Sequence, residues 1–246
     1  MSQDAPAHVE ERFDARTVVV TGVSHAGQVG EAVAREFARH GASVAIIDRD
    51  LALTEERAAA LRSEAFDVRA YACDLTDADA MAGVARRIAT ASGERIHALA
   101  NVAGGFAMSG PVADSDPAML QRQLSINLGS AYGATRAFLP FLRPAHGAIV
   151  FMAAAAVLPG GKAAGMSAYV AAKAGVVALM RCVAQEERVN GVRANALAPT
   201  AIRTAANVGT MGDKFPYVER ESVAAMIVFL CSGAAANVNG QVIELA

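Results

Sequence analysis

The sequence predicts an α/β fold: a single domain built on a doubly wound, parallel, seven-stranded sheet with helices on both faces. Short apolar runs alternate with Ala-rich helical stretches along nearly the whole chain, which is the pattern of repeated strand-helix-strand units. Most of these runs lack polar alternation, as expected for parallel strands that helices cover on both sides. The 246 residues are 54% hydrophobic, which is enough to bury the core of one such domain.

The elements follow in a regular order after a flexible leader, residues 1–15, so the predicted domain comprises residues 16–246. Strands are expected at 17–20, 43–48, 67–72, 96–101, 147–152, 192–197 and 241–245. Helices are expected at 29–40, 51–64, 77–92, 117–143, 167–189 and 220–232. Residues 205–218 have weak periodicity and are predicted to form a loop beside the site, either a substrate lid or a plain connection.

Composition and charge narrow the class of partner. A net charge of -2 gives no positive field for a nucleic acid backbone, so a small-molecule substrate is expected. The polar N-terminus and the lack of a run of about 18 apolar residues argue against a secretory signal and a membrane span, so the predicted location is cytoplasmic. Cys73, Cys182 and Cys231 are widely spaced, which predicts small core residues and no metal site.

A glycine-rich turn, Thr21 to Gly30, joins the first strand to the first helix. Such a turn lets backbone N–H groups and the helix dipole meet a pyrophosphate. Glycines also occur in ordinary tight turns, so the turn alone is a weak signal. The preceding strand, the following helix and a later acid strengthen it and together indicate a dinucleotide site.

The acid is Asp48, at the end of the second strand. A carboxylate there hydrogen-bonds the adenosine ribose hydroxyls and repels a 2′-phosphate, so NAD(H) is favoured over NADP(H). Arg49 and His25 leave the alternative open, because a cation beside the ribose is how such sites accept the extra phosphate. Asp48 could also be an ordinary turn acid.

Tyr169 and Lys173 lie four residues apart in a predicted helix and therefore share one face. A nearby ammonium lowers the pKa of a phenol from about 10, which would let Tyr169 exchange a proton as a hydride moves. Taken alone, such a pair is usually part of a solvated helix surface.

Together these features resemble the short-chain dehydrogenase/reductase family, with its Rossmann-type fold, from Thr17 to Leu245. The motifs that carry the resemblance are the TG-rich turn, Asp74-Leu75, Asn101-Val102-Ala103-Gly104, Asn127, Tyr169-Val170-Ala171-Ala172-Lys173 and Pro199 to Thr204.

The resemblance implies a role for each matching residue. It assigns Tyr169 as acid/base, Lys173 as its pKa-lowering partner and ribose ligand, and Asn127 as the support of a proton-relay water. It assigns the cofactor contacts to Gly22, Ser24, Gly27, Val29 and Gly30 at the pyrophosphate, Asp48 at the ribose, Asp74 and Leu75 at the adenine, Asn101, Ala103 and Gly104 beneath the cofactor, and Pro199, Ile202 and Thr204 at the nicotinamide.

The sequence departs from the family pattern in two places. The TGxxxGxG turn is stretched to TGxxxxGxxG, so the phosphate-binding amides are not fixed by the resemblance. The substrate-binding Ser expected about 13 residues before Tyr169 is replaced by alanine, in the run Ala153 to Ala156. Ser167 points away from Tyr169 on a helix, and Lys162 is read as a solvated loop residue. An Ala-rich stretch and an AGG-aromatic-A segment are similar to dihydropteridine reductases, which reduce a quinonoid pterin.

Three functions remain open from the sequence. The first is an NAD(H)-dependent reductase or dehydrogenase acting through Tyr169. The second is an NAD-binding protein with little or no catalysis that acts by binding or assembly. The third is an acyl-chain reductase, which would favour a wider Tyr-to-Lys spacing and a larger substrate loop. Helices 117–143 and 167–189 are apolar on more than one face, which predicts a homodimer or homotetramer.

Overall fold

The computed structural model describes residues 12–246 and confirms the predicted parallel sheet of seven strands. These strands are β1 (Thr17–Thr21), β2 (Ser43–Asp48), β3 (Val68–Ala72), β4 (Ala98–Asn101), β5 (Ala148–Met152), β6 (Arg193–Pro199) and β9 (Val242–Leu245). Their order is β3-β2-β1-β4-β5-β6-β9, so the winding reverses between β1 and β4. Ligands of open α/β sheets bind at such a reversal, beyond the carboxyl ends of the strands.

Eight α-helices are described between residues 12 and 246. They are α1 (Val29–Arg39), α2 (Leu51–Ser63), α3 (Ala78–Ala91), α4 (Pro117–Gln123), α5 (Ser130–Leu142), α6 (Ser167–Glu186), α7 (Ala205–Met211) and α8 (Arg220–Cys231).

The helices cover both faces of the sheet, as the unbroken apolar strands predict. Successive side chains of a strand point to opposite faces, and the three valines of β1 show this. Val18 and Val20 pack in a core with α1 and α8, whereas Val19 packs in a second core with α3, α5 and α6. Each core is closed by large, fully buried side chains, among them Phe37 on one face and Phe138 on the other.

Two segments differ from the expected pattern. Residues 205–218 are not a loop: they contain α7, and two short strands, β7 (Ile202–Arg203) and β8 (Val218–Glu219), pair in parallel around it. A seven-residue helix is too short to give a readable period. The predicted helix 117–143 is interrupted by a π-helical segment, Leu124–Gly129, which separates α4 from α5.

The chain is packed from before the predicted domain boundary. Phe13 is fully buried, its N–H donates to the His40 carbonyl at 2.7 Å, and its ring packs edge-on against Phe37 at 5.1 Å. The first eleven residues of the leader predicted at 1–15 lie outside the described residues.

The cysteine prediction was correct for two of the three positions. Cys73 and Cys231 are buried, as predicted, whereas Cys182 is exposed. Cys182 lies four residues after the exposed Ala178 on α6, so it shares the helix face that points away from the sheet. Across residues 12–246, no group of three or more His, Cys, Asp or Glu side chains is placed to hold a metal ion.

One described helical stretch, Ser167–Asn190, is long and apolar enough to cross a membrane by length and composition alone. The most apolar 18-residue window within it has a mean hydropathy of 1.4, and 44% of that window is buried within the fold. The buried side packs against β5 and β6 and includes Lys173, so its apolar character is explained by the core of the domain.

Candidate active site

The carboxyl end of β1 packs closely against the start of α1 and against the segment after β4. Gly22 has φ +80°, and a Cβ on it would lie 2.7 Å from the Ala103 Cα atom. A Cβ on Gly30 would lie 2.2 Å from the Gly22 carbonyl oxygen. The Thr21 hydroxyl accepts the N–H groups of Val102 and Ala103, each at 3.2 Å. These contacts form a backbone-lined cradle at the point where the winding reverses.

The amino end of α1 opens into this cradle. Its N-cap residue, Gln28, makes no side-chain cap hydrogen bond within residues 12–246. The first amides of the helix, beginning at Val29, therefore stay available for an anion. Ser24 is half-buried and His25 exposed on the same turn. The cradle and the uncapped amides fit the pyrophosphate of a dinucleotide.

Gly27 is held on both sides by the protein itself. Its N–H donates to the Glu31 carboxylate at 2.6 Å, and its carbonyl accepts from Arg220 Nη1 at 2.9 Å. The Glu31 side chain is only 9% exposed and lies 3.5 Å from Arg35 Nη2. The stretched turn is thus anchored to α1 and α8, and the Gly27 amide, assigned to the pyrophosphate by sequence, is engaged by Glu31.

Two carboxylates and a guanidinium lie at the ends of β2 and β3. Asp48 is half-buried and accepts the Arg49 N–H at 2.7 Å. Hydrogen bonds from the Thr76 side chain and backbone N–H lower the pKa of Asp74, and the Arg49 charge lowers it further. Leu75 is buried beside them. The Asp74 carboxylate is therefore ionised at neutral pH, with Arg49 within electrostatic reach of it.

Several predicted cofactor residues make internal contacts. Asn101 is buried and its Nδ2 donates to the Thr135 hydroxyl at 3.0 Å, which ties β4 to α5. Thr204 is buried and its hydroxyl caps α7 by accepting the Asn207 N–H at 3.2 Å. Asn207 Nδ2 also donates to the Ile202 carbonyl at 2.7 Å. Pro199 ends β6 just before this segment, and these bonds fix the backbone beside the site.

Lys173 lies at the centre of the predicted catalytic group. Its Nζ donates to the Met152 carbonyl, at the end of β5, at 2.7 Å. A Cβ on Gly104 would lie 2.5 Å from Asn127 Oδ1 and 3.4 Å from Lys173 Nζ, so the three residues converge. Among the residues that the structure describes, no carboxylate forms an ion pair with Lys173, and burial lowers the pKa of its ammonium to about 8.

Tyr169 stands one helical turn before Lys173, with Lys173 Nζ 5.8 Å from the centre of its ring. The sequence predicts that this ammonium lowers the pKa of the phenol. The structure shows the opposite, because burial raises the pKa of Tyr169 to about 12. The Lys173 ammonium points to the Met152 carbonyl rather than to the hydroxyl, so desolvation dominates.

Asn127 lies in the π-helical segment and holds Gly105 by two hydrogen bonds. Its Oδ1 accepts the Gly105 N–H at 3.2 Å, and its Nδ2 donates to the Gly105 carbonyl at 3.0 Å. The same Nδ2 lies 3.0 Å from Gln123 Oε1. Single π turns within helices are frequent at functional sites, and this one turns Asn127 toward the segment after β4.

The alanine run after β5 offers no side-chain donor to the site. Ala153 and Ala154 are buried, and Ala155–Val157 form a half-exposed 3-10 turn. Ser167 is turned to Ser109, with 3.1 Å between the hydroxyl oxygens, and Lys162 is exposed.

Comparison with known proteins explains the arrangement. A family model described as "Enoyl-(Acyl carrier protein) reductase" matches residues 22–245. The chain is also 32% identical over 248 residues to galactitol 2-dehydrogenase of Rhizobium johnstonii, with 95% of each chain covered. The chain belongs to the short-chain dehydrogenase/reductase family.

Other members of this family agree with the assignment. A hydroxy-methyl-oxo-hexahydroindene-carboxyl-CoA reductase of Mycobacterium tuberculosis is 35% identical over 246 residues, which cover 95% of this chain and 92% of the relative. The structure of a short chain dehydrogenase from Mycobacterium smegmatis superposes with a TM-score of 0.83 at 31% identity, covering 95% of this chain and 92% of the other. The chain therefore shares both the fold and nearly the full length of dehydrogenases and reductases.

Four contacts of this short-chain dehydrogenase/reductase were not foreseen. Phe106 packs edge-on against Tyr169, Glu31 and Arg220 hold Gly27 from either side, and Met152 accepts from Lys173. Phe106 was noticed in the sequence only as part of a glycine-aromatic segment, and nothing local marks the other contacts.

Proposed function

We propose that this protein is an NAD(H)-dependent oxidoreductase that transfers hydride to or from a small carbonyl compound or alcohol, with Tyr169 as acid/base. The observation that carries the proposal is the convergence of Lys173 and Asn127 on Gly104, next to Tyr169 and beside a cradle that fits a dinucleotide. Family membership supports an enzyme of this kind.

In the reducing direction, NADH held in the cradle would supply the hydride that the carbonyl carbon gains. Tyr169 gives its phenol proton to the carbonyl oxygen, and solvent then reprotonates it. Its pKa of about 12 keeps the phenol protonated at neutral pH, so it is ready to act as the acid. Lys173, with a pKa of about 8, is mostly charged at pH 7 and stabilises the phenolate that forms.

A quinonoid acceptor is a second candidate substrate class because of the alanine run. Reduction of a quinonoid dihydropterin develops no carbonyl oxyanion that needs a serine hydroxyl, and Ala153 to Ala156 supply none. The test is NADH oxidation against a panel of ketones, quinones and a quinonoid dihydropterin. Turnover of any member supports an enzyme, whereas NADH binding without turnover on the whole panel would favour a non-catalytic binding role.

The cofactor preference is predicted to be NADH over NADPH by about 10-fold or more in Kd, because Asp48 is held where a 2′-phosphate would meet its charge. Asp48→Asn should bring the Kd values for NADH and NADPH closer together. Asp67→Asn is the control, since Asp67 accepts from Ser43 at the amino ends of β2 and β3, away from the carboxyl ends where Asp48 lies. Fluorescence titration with both nucleotides measures the ratio. Equal or tighter NADPH binding by the wild type would mean that Arg49 and His25 dominate the pocket.

Restoring a hydroxyl at Ala156 is predicted to raise kcat/KM for simple ketones by about 10- to 100-fold. A donor to the developing oxyanion is commonly worth 10²–10³ in rate. Ala156 is half-exposed in its turn whereas Ala154 is only 6% exposed, so Ala154→Ser is the control expected to give no gain. Steady-state kinetics of the two variants decide between the positions. No gain from either variant would show that this site does not use a serine.

We also propose a homodimer or homotetramer. Ala171, Ala174 and Ala178 lie exposed along the outer face of α6, and Tyr132 on α5 is 55% exposed. A strip of small residues beside an aromatic ring suits close packing of two copies. A monomeric mass by light scattering at micromolar concentration would reject the proposal.

A further inference from the structure

The ring of Phe106 is exposed to solvent and contacts Tyr169, the proposed acid/base. Its centroid lies 5.1 Å from that of Tyr169, with the rings at 86°. Phe106 is 58% exposed, although Tyr169 beneath it is largely buried. An aromatic ring of this size normally gains stability by being buried, so its exposure next to the reacting group needs a reason.

The backbone on both sides of Phe106 is fixed. On one side, Asn127 binds both the N–H and the carbonyl of Gly105. On the other, the N–H groups of Ser109 and Gly110 donate to the Gly165 carbonyl at 2.9 and 3.1 Å. Hydrogen bonds therefore join residues 105–110 to the π-helical segment and to the turn before α6, and the Phe106 ring projects from a fixed backbone.

Met108 extends the apolar surface toward α6. It is 57% exposed, and its Cε lies 3.0 Å from the point where a side chain on Gly165 would begin. Gly165 has φ +72°, a conformation that glycine adopts without strain, so this close approach is built into the turn before Tyr169. Phe106 and Met108 thus form two apolar contacts at the mouth of the site.

We infer that Phe106 and Met108 select the substrate: it carries an apolar ring or hydrocarbon group next to its reacting carbonyl. This inference rests on the proposed function and deepens it. Covering a half-exposed phenyl ring with an apolar group removes both surfaces from water. A polyhydroxylated chain placed there would lose its hydrogen bonds to water and find no partner on the ring.

The test compares cyclohexyl methyl ketone with erythrulose, a polyhydroxy ketone of similar size, in the wild type and Phe106→Ala. Binding of each ketone to the enzyme–NAD⁺ complex is measured by calorimetry, and kcat/KM is measured with NADH. The wild type should prefer the apolar ketone in both measurements. Phe106→Ala should lower the affinity and kcat/KM for the apolar ketone by about 10-fold relative to the values for erythrulose. Phe106→Leu should retain most of the preference, because it keeps an apolar side chain.

Two controls separate specificity from a general defect. The ratio between the two ketones cancels any effect of Phe106→Ala on Tyr169 itself. Val189→Ala removes a 90% exposed apolar side chain at the far end of the helical stretch that begins beside Tyr169. The two residues are about 30 Å apart along the helix, so this variant should leave the ratio between the ketones unchanged. NADH affinity should stay unchanged in every variant.

The outcomes distinguish the inference from the function on which it rests. A wild type that binds erythrulose as well as the apolar ketone, or binds neither, would overturn the inference, as would an unchanged ratio in Phe106→Ala. Phe106-dependent binding of the apolar ketone without reduction of any ketone would instead overturn the proposed reaction and leave the apolar subsite standing.

Discussion

Tyr169→Phe is expected to lower turnover by about 10²- to 10⁴-fold on any substrate that must gain or lose a proton. The variant removes one oxygen atom and its proton while the ring keeps its edge contact with Phe106. Because the phenol acts only in the chemical step, the Kd for NADH should change by less than about 2-fold. Steady-state kinetics and fluorescence titration on the same preparation measure the two effects.

Tyr71→Phe provides a matched control for this prediction. Tyr71 lies on β3, where Arg87 packs over its ring, and it should keep full activity without its hydroxyl. A Tyr169→Phe enzyme that turns over a ketone at the wild-type rate would remove Tyr169 from the mechanism. A large loss of NADH affinity would instead assign the hydroxyl a binding role.

The sheet could be predicted closely because its strands are buried on both faces and therefore stand out as unbroken apolar runs. The main error at a strand start is instructive. The fourth strand was predicted from residue 96, but Ile96 donates its N–H to the Phe141 carbonyl of α5, and the strand begins at Ala98. An apolar residue indicates a buried position, whereas membership of a strand depends on the backbone groups with which the residue forms hydrogen bonds.

The candidate site could be predicted as a set of residues but not as a set of contacts. The spacing of Tyr169 and Lys173 places them on one helix face, whereas Asn127 was assigned by the family resemblance. The π-helical turn that aims Asn127 at Gly105 has no sequence signal, because it is a change in backbone hydrogen bonding. Arg220 and Gly27 are 193 residues apart, and only the packing of α8 beside α1 brings them together.

The raised pKa of Tyr169 shows the same limit. Spacing correctly suggested that Lys173 and Tyr169 are neighbours, but the sign of a pKa shift depends on burial and on where the ammonium points. Both groups are desolvated here, so the phenol pKa rises to about 12 and the ammonium pKa falls to about 8. Each shift favours the neutral form, as burial alone requires.

Lys173→Met is expected to abolish most activity and to make the protein more stable at neutral pH. Activity should fall by about 10²-fold or more, because no other described cation is placed to stabilise a Tyr169 phenolate. Stability should rise because a buried ammonium without a carboxylate partner is replaced by an apolar chain of similar length. A pKa lowered from 10.5 to about 8 corresponds to roughly 3 kcal/mol at neutral pH. Losing the hydrogen bond to Met152 offsets part of this, which leaves about 1–2 kcal/mol.

The pH dependence of unfolding gives the sharper test. Between pH 8 and 10.5 the unfolded chain holds the Lys173 proton and the folded chain does not, so the free energy of unfolding contributed by this residue rises with pH across that window. Below pH 8 the folded protein bears the full cost of the charged group. Urea unfolding at pH 7, 8, 9 and 10 should therefore show the advantage of Lys173→Met shrinking as the pH rises. Lys162→Met, at an exposed position, should show no such trend. A Lys173→Met protein that is less stable than wild type at pH 7 would mean that the bond to Met152 outweighs the cost of burying the charge.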